Sequence, residues 1–354
     1  MASKSVVIVT AAITLIFVFS SVLLIMRSNE RKEISKNLTA YFSNIKLSSY
    51  DVRFLGWLIE NDEASLSSFK NNSKSITWVS PTSSYITKGG IFIGKVSNSV
   101  VELARTSNTL VIPLVANEGF SKDIAHEFLT DPKIRDEVLS NLTNFVVNGK
   151  YDGINIDFEG VDPSDREALT DFMRLLSAKF HEHSKIVSID VPAKTYDSRE
   201  GWSGAYDYKA LGNYCDYVVL MVYDYHWSGS SPGPISPLDW LKNVLNYATS
   251  VIPKEKIVVG IPFYGYDWSG GRGSGVTFSE AINLAISTNA KVYFDETSGE
   301  YYFKVQGHEV WFQGAKSTEL RLNIIVHDYN ITNIAAWRLG AEDPRTWEVI
   351  QRKR

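Results

Sequence analysis

A chain of 354 residues that is 44% hydrophobic and 21% charged can bury a large core and is too apolar to stay disordered. Its net charge of −4, with no basic cluster, gives nucleic-acid binding no electrostatic support. A single cysteine, Cys215, excludes an intrachain disulfide framework and a thiolate metal cluster, and the six histidines never fall into a ligand spacing such as H-E-x-x-H.

At the N-terminus, "SVVIVTAAITLIFVFSSVLLIM" (Ser5–Met26) carries no charge and is long enough to cross a bilayer, which takes about 20 apolar residues. Its length and the lack of a small-x-small site favour a retained anchor over residues 1–27 rather than a cleaved signal. Lys4 precedes the run, while Arg27, Arg31, Lys32 and Lys36 follow it, which by the positive-inside rule would keep the following domain in the cytoplasm. A large translocated domain overrides that bias, and the expectation is a single-pass protein whose globular part is extracytoplasmic. The sequons at Asn37, Asn71, Asn141 and Asn330 are near chance frequency and decide nothing. Residues 28–49 read as a polar linker.

From residue 50 onward, short apolar runs alternate with helical stretches. The runs are "VRFLGWL", "ITWVSP", "TLVIPLVA", "YDGINIDFE", "IVSIDVP", "YVVLMVYD", "KIVVGIP" and "NIAAWRL". Between the third and fourth, Ile134, Val138, Leu142, Phe145 and Val146 recur at helical spacing. The next interval opens with Ser164 and Glu167 at the offset of a capping box, and a later one ends before Pro253. Eight strand–helix repeats predict an α/β protein, a (β/α)8 barrel over residues 50–354. The seventh interval is too long. Its "KVYFDETSGEYYFKVQGHEVWFQG" reads as antiparallel strands with Ser-Gly turns, a small α+β insertion over 268–316.

Active sites of such barrels lie at the C-terminal ends of the strands. Strand four, "YDGINIDFEG", alternates Ile154, Ile156 and Phe158 with Asn155, Asp157 and Glu159, so two carboxylates and an amide share one face. Strand six delivers Tyr223, Asp224, Tyr225 and His226; strand seven Tyr264, Tyr266, Asp267 and Trp268; strand eight Trp337 and Arg338. Singly, an aromatic at a strand end is usually packing and an acid often a helix cap. Together they suit a carbohydrate cleft, because sugar rings offer apolar faces and hydroxyls. Desolvation beside Asp157 should raise the pKa of Glu159 and hold a proton ready near neutrality. Asp152 has the opposite parity and reads as structural, and Cys215, before an apolar run, as a buried inert thiol.

"DGINIDFE" resembles the D-G-x-D-x-D-x-E signature of the family 18 glycoside hydrolases, and "MVYD" and Trp337 resemble their M-x-Y-D motif and cleft-floor tryptophan. "PLVAN", "VPAKT", "GIPFYGYDW" and "WRLGAED" look more narrowly like the spore cortex-lytic, germination-associated branch, and the resemblance spans Val52 to Arg354. It implies Glu159 as general acid, then base. The substrate's N-acetyl carbonyl oxygen would be the nucleophile, with configuration retained, an exception to the two-carboxylate scheme. Asp157 would orient the acetamido N–H, Tyr223 would bond its carbonyl, Asp224 would contact the sugar and Trp337 would floor the cleft. Asn155, Tyr264, Tyr266, Asp267 and Trp268 complete the expected substrate-binding set.

The implied partner is an N-acetylglucosamine-containing glycan, peptidoglycan-type before chitin-like, bound by a monomer with no metal or organic cofactor. Asn155 departs from the signature, since many chitinases carry aspartate there. Its amide is expected to donate to Asp157, so that Asp157 titrates lower than in a chitinase carrying both aspartates. Two other classes remain open: a glycan-binding protein on the same barrel without turnover, and a metal-dependent barrel enzyme that a chelator would inactivate.

Overall fold

The computed structural model describes Ser28 and residues 30–352. The expected membrane anchor lies outside the described residues; among them, no helix is long and apolar enough to cross a membrane.

The eight runs form eight barrel strands: β1 (Tyr50–Leu58), β2 (Trp78–Pro81), β3 in two segments (Leu110–Val111 and Leu114–Asn117), β4 (Gly153–Asp157), β5 (Ile186–Pro192), β6 (Tyr217–Met221), β7 (Ile257–Pro262) and β8 (Asn333–Trp337). Neighbours pair in parallel, and β8 returns to β1. Pro113 splits β3, because proline has no N–H for the ladder. The first segment pairs with β2 and the second with β4. Val111 O and Pro113 O still accept from Asp152 N (2.8 Å) and Asn155 N (2.9 Å), which carries the pairing across the break. Asp152 Oδ2 accepts from Val111 N at 2.8 Å, a structural duty at the same seam. The result is a TIM-barrel-like fold.

Strands buried on both faces read as continuous apolar runs, and β7 (IVVGIP) is buried at every position. Outward-facing Ile154, Ile156 and Phe158 join the shell between barrel and helices, while Leu55, Trp57, Trp78, Ile112, Leu114, Val219, Val258 and Ala335 fill the barrel interior. Cys215 is fully buried in the shell between barrel and helices, and its thiol is pushed up to about 12 by burial. The helix Pro132–Gly149 starts on Asp131, whose carboxylate accepts from Lys133 N and Ile134 N, and buries Val138, Leu139, Leu142 and Val146. The helix Leu238–Val251 ends before Pro253, as expected.

Two expectations change. The capping box at Ser164 and Glu167 does not form. Asp162 instead accepts from Ser164 N and Ser164 Oγ (3.0 and 2.7 Å), opening a 3-10 turn (Pro163–Asp165) before the helix Arg166–Glu182. A short carboxylate two residues upstream thus takes the Ser164 N–H that the Glu167 side chain would have reached in a capping box. Residues 28–49 carry a helix over residues 30–43 rather than an open linker. Its Phe42 meets Phe278 and Tyr301 with ring centroids 5.2 and 5.1 Å apart, so apolar burial draws it against the insertion.

That insertion is a five-stranded antiparallel sheet with the helix Phe278–Thr288, and a capping box does form there between Thr277 and Glu280. It begins at Gly265 and its last strand ends at Phe312. Its first strand, Gly265–Ser269, leaves the end of β7 almost directly and so carries Tyr266 past the cleft.

Candidate active site

A cavity of about 530 Å³ opens at the C-terminal ends of the strands and is walled by Asp157, Glu159, Asp190, Tyr223, Asp224 and Trp337. A second cavity of about 350 Å³ adjoins it, sharing Leu114, Phe120, Asp157 and Trp337. The two cavities meet at Trp337, which packs edge-on to Trp57 at 5.9 Å.

Strand period 2 turns Asn155 and Asp157 inward. Asn155 is fully buried and does not bond to Asp157. Its Nδ2 donates to Asp190 Oδ1 at 2.7 Å, and its Oδ1 accepts from Trp57 Nε1 (3.0 Å) and Ser80 Oγ (3.1 Å). The expected amide-to-Asp157 bond is thus absent, because the partner in reach lies across the ladder. Residues 155 and 156 pair with 188 and 189, so the register brings Asp190 beside Asp157. The pKa of Asp157 is accordingly raised well above the carboxylate range, by burial first and by Asp190 second. Asp157 Oδ1 is buried without a hydrogen-bond partner.

Glu159 stands two residues beyond Asp157, past the end of β4. Asn117 at the end of β3 clamps its backbone from both sides: Glu159 N donates to Asn117 Oδ1 and Asn117 Nδ2 donates to Glu159 O, each at 2.9 Å. Tyr206 fixes the preceding residue, donating to Phe158 O at 2.6 Å. Burial, then the carboxylates of Asp157 and Asp224, raise Glu159 to about 8, against a smaller pull from the Trp202 indole. A side chain at the cleft wall that keeps its proton through neutral pH can act as a general acid.

Asp224 holds a left-handed φ of 62°, which aspartate tolerates better than most residues. It accepts from Tyr266 Oη at 3.0 Å and from Tyr264 Oη. Burial raises its pKa and the two phenols pull it back. Tyr223 is half-buried beside Asp190, Asp157 and Glu159, and its phenol is held well above its ordinary value by desolvation and then by those acids. It therefore serves as a donor.

Seven of the ten expected residues line the cleft: Asp157, Glu159, Tyr223, Asp224, Tyr264, Tyr266 and Trp337. Asn155 lies directly behind it. Asp267 and Trp268 do not reach it. They follow the insertion strand away, where Asp267 Oδ2 bonds His308 Nδ1 at 2.8 Å and Trp268 is buried beside Tyr266 and Gly273. Asp190, Asn117 and Trp57 belong to the site without having been singled out from the sequence. The signals were an acid inside the apolar run "IVSIDVP" and the asparagine closing "PLVAN". Among the described residues, no group of three His, Cys, Asp or Glu is arranged to hold a metal ion.

Comparison with known proteins agrees with this geometry. The model of the glycosyl hydrolases family 18 matches residues 31–342. The cortical fragment-lytic enzyme of Bacillus subtilis is 31% identical over 264 residues, 71% of this chain and 61% of that enzyme. The chain thus spans about three fifths of that relative's length. Among solved structures, the Bacillus cereus spore cortex-lytic enzyme SleL superposes with a TM-score of 0.79 at 27% identity, covering 86% of this chain and 74% of that one. A chitinase from Chromobacterium violaceum gives 0.78 at 27%, covering 84% and 97%. With a family model matched over most of its length, a TIM-barrel-like fold and a proton-bearing glutamate at the cleft, the chain belongs to the family 18 glycosyl hydrolases, a family of glycosidases.

Proposed function

We propose that the chain hydrolyses β-glycosidic bonds of N-acetylglucosamine-containing glycans with retention of configuration, using the substrate's acetamido group as nucleophile. The observation that carries this reading is Glu159, held protonated up to about 8 beside a buried carboxylate with an unfilled oxygen. Glu159 gives its proton to the glycosidic oxygen as the C1–O bond breaks. The acetamido carbonyl oxygen closes on C1, forming an oxazolinium ion. Asp157 takes the acetamido N–H, and the Tyr223 phenol donates to the carbonyl oxygen. Water then attacks C1, gives its proton to the Glu159 carboxylate and reopens the ring. The departing and incoming oxygens use the same face, so the configuration is retained. Likeness to the cortical fragment-lytic enzyme and to SleL supports a peptidoglycan-type polymer first, and likeness to chitinases supports chitin-like oligomers second.

The test is to incubate residues 28–354 and their Glu159→Gln variant with peptidoglycan, muramic-lactam cortex fragments and chitin oligomers. Wild type should release reducing ends, and the variant should lose about 10³-fold in kcat while still binding glycan. Turnover surviving in the variant removes Glu159 from the role, and binding without turnover by wild type makes the protein a lectin. The same proposal includes an anchor: the uncharged run Ser5–Met26 tethers the barrel to a membrane on its extracytoplasmic side. Membrane fractionation and protease protection of the full chain check it.

A further inference from the structure

The mechanism uses Asp157 and Glu159 and leaves a third buried acid unexplained. Asp190 is 1% exposed, walls the cleft, and sits beside Asp157 across the β4–β5 ladder. The hydrogen-bond donors around the two aspartates are distributed unevenly. Asp190 Oδ1 receives Asn155 Nδ2 at 2.7 Å, and that amide is itself locked by Trp57 Nε1 and Ser80 Oγ, so it cannot turn to Asp157. Asp157 Oδ1 receives nothing. A donor favours the ionised form of the acid it reaches, and a buried oxygen without a donor favours the neutral form.

The groups facing the pair from the surrounding elements are Glu159 just past the end of β4, Tyr223 beyond β6, Tyr206 from the segment after β5, and Asp224. Arg338, the cation at the cleft, is paired with Asp62. The pair therefore meets acids and phenols, and two adjacent buried carboxylates do not both ionise.

We propose that Asp190 is a positioning residue that keeps one proton within the Asp157–Asp190 pair: at rest Asp157 is neutral and Asp190 carries the charge, and an arriving acetamido N–H moves the proton to Asp190. The transfer is internal and balanced. The O–H bond on Asp157 breaks, an O–H bond on Asp190 forms, and the negative charge passes to Asp157 where the N–H needs an acceptor. Asn155 is the switch-setting amide, since the N–H it gives to Asp190 fixes which acid holds the charge before substrate arrives. The step rests on the reading that the site takes an acetamido group; the resting distribution of charge does not.

The experiment titrates the full-length chain with 13Cγ-labelled aspartate and compares wild type with Asp190→Asn, which keeps an oxygen for Asn155 Nδ2. In wild type, the Asp157 carboxyl should titrate at least one pH unit above that of Asp190. In Asp190→Asn, the Asp157 titration should fall by one unit or more, and the acidic limb of the kcat/KM–pH profile should move down with it. A purely structural role would lower activity without moving either. Asp157 titrating below Asp190 in wild type, or staying unmoved in the variant, overturns the proposal. The titration needs no turnover, so failure here is distinct from failure of the glycosidase reading, which Glu159→Gln decides.

Discussion

Asp157 in the barrel and Glu300 in the insertion are both hidden from water, and their surroundings treat them in opposite ways. Glu300 accepts from Arg321 Nη2 (2.8 Å), Ile235 N (2.9 Å) and Ser236 N (2.6 Å). Arg321 in turn donates to Ser236 O and Ser317 O. One ion pair thus ties the insertion, the segment after β6 and the helix Ala315–Asn323 into a single joint, every charge answered. Burial still leaves Glu300 above its ordinary pKa, against the pull of Arg321 and the two N–H groups. Asp157 has no cation and one unanswered oxygen. A buried acid that is saturated holds elements together; one left unsaturated is available to a ligand.

The sharpest way to break that contrast is to remove a charge from each side. Arg321→Leu strands the Glu300 carboxyl in the core and should cost about 3–5 kcal/mol, read by chemical denaturation. Asp157→Asn replaces a buried acid that lacks a cation with a neutral amide of the same shape, and should leave stability unchanged or raised while kcat/KM collapses. If both variants are equally destabilised, the contrast is false.

Glu159 gives the next largest effect, and its sign follows from linkage. Its folded pKa of about 8 lies above the ordinary glutamate value of 4.5, so the folded state holds the proton more tightly than the unfolded one. The associated stability is fully present below 4.5 and is lost as pH rises through about 8. Wild type should therefore lose on the order of 3 kcal/mol relative to Glu159→Gln between those limits, measured as paired denaturation curves. Turnover should persist toward pH 8 and decline above it, as the general acid ionises. A pH-independent stability difference would place Glu159 in ordinary solvent.

Much of the barrel was legible because its strands are apolar runs at regular intervals, and "YDGINIDFEG" displayed its two faces openly. The direction of Asn155 was not. Ser188 pairs with Asn155 and Asp190 stands two residues further along that strand, so the amide bonds diagonally across the ladder to a residue that only the register reveals. Asp267 and Trp268 were misplaced for a related reason. "YGYDW" alternates like the end of a barrel strand, but the chain is already an antiparallel strand by Gly265, and every residue after Tyr266 follows a different sheet. Pro113 and Asn117 were plain in the sequence, yet their effects, a split strand and a clamp on the Glu159 backbone, appear only once β3 and β4 are side by side.

The smallest expected effect lies where the two regions meet. Tyr264 stands between the end of β7 and the insertion, and Tyr266 is on the insertion's first strand, yet both phenols converge on Asp224, with the two rings 5.4 Å apart. Tyr266→Phe removes the 3.0 Å bond and leaves Tyr264 in place. One donor to a carboxylate is worth about 1–2 kcal/mol, so kcat/KM should fall roughly tenfold. Asp224 should also titrate higher, since a phenol that lowers its pKa is gone. Folding stability should barely change, because no charge is stranded in the core. A variant with wild-type kcat/KM would mean that Tyr264 alone holds Asp224, and that the insertion contributes to the cleft by shape rather than by its hydroxyl.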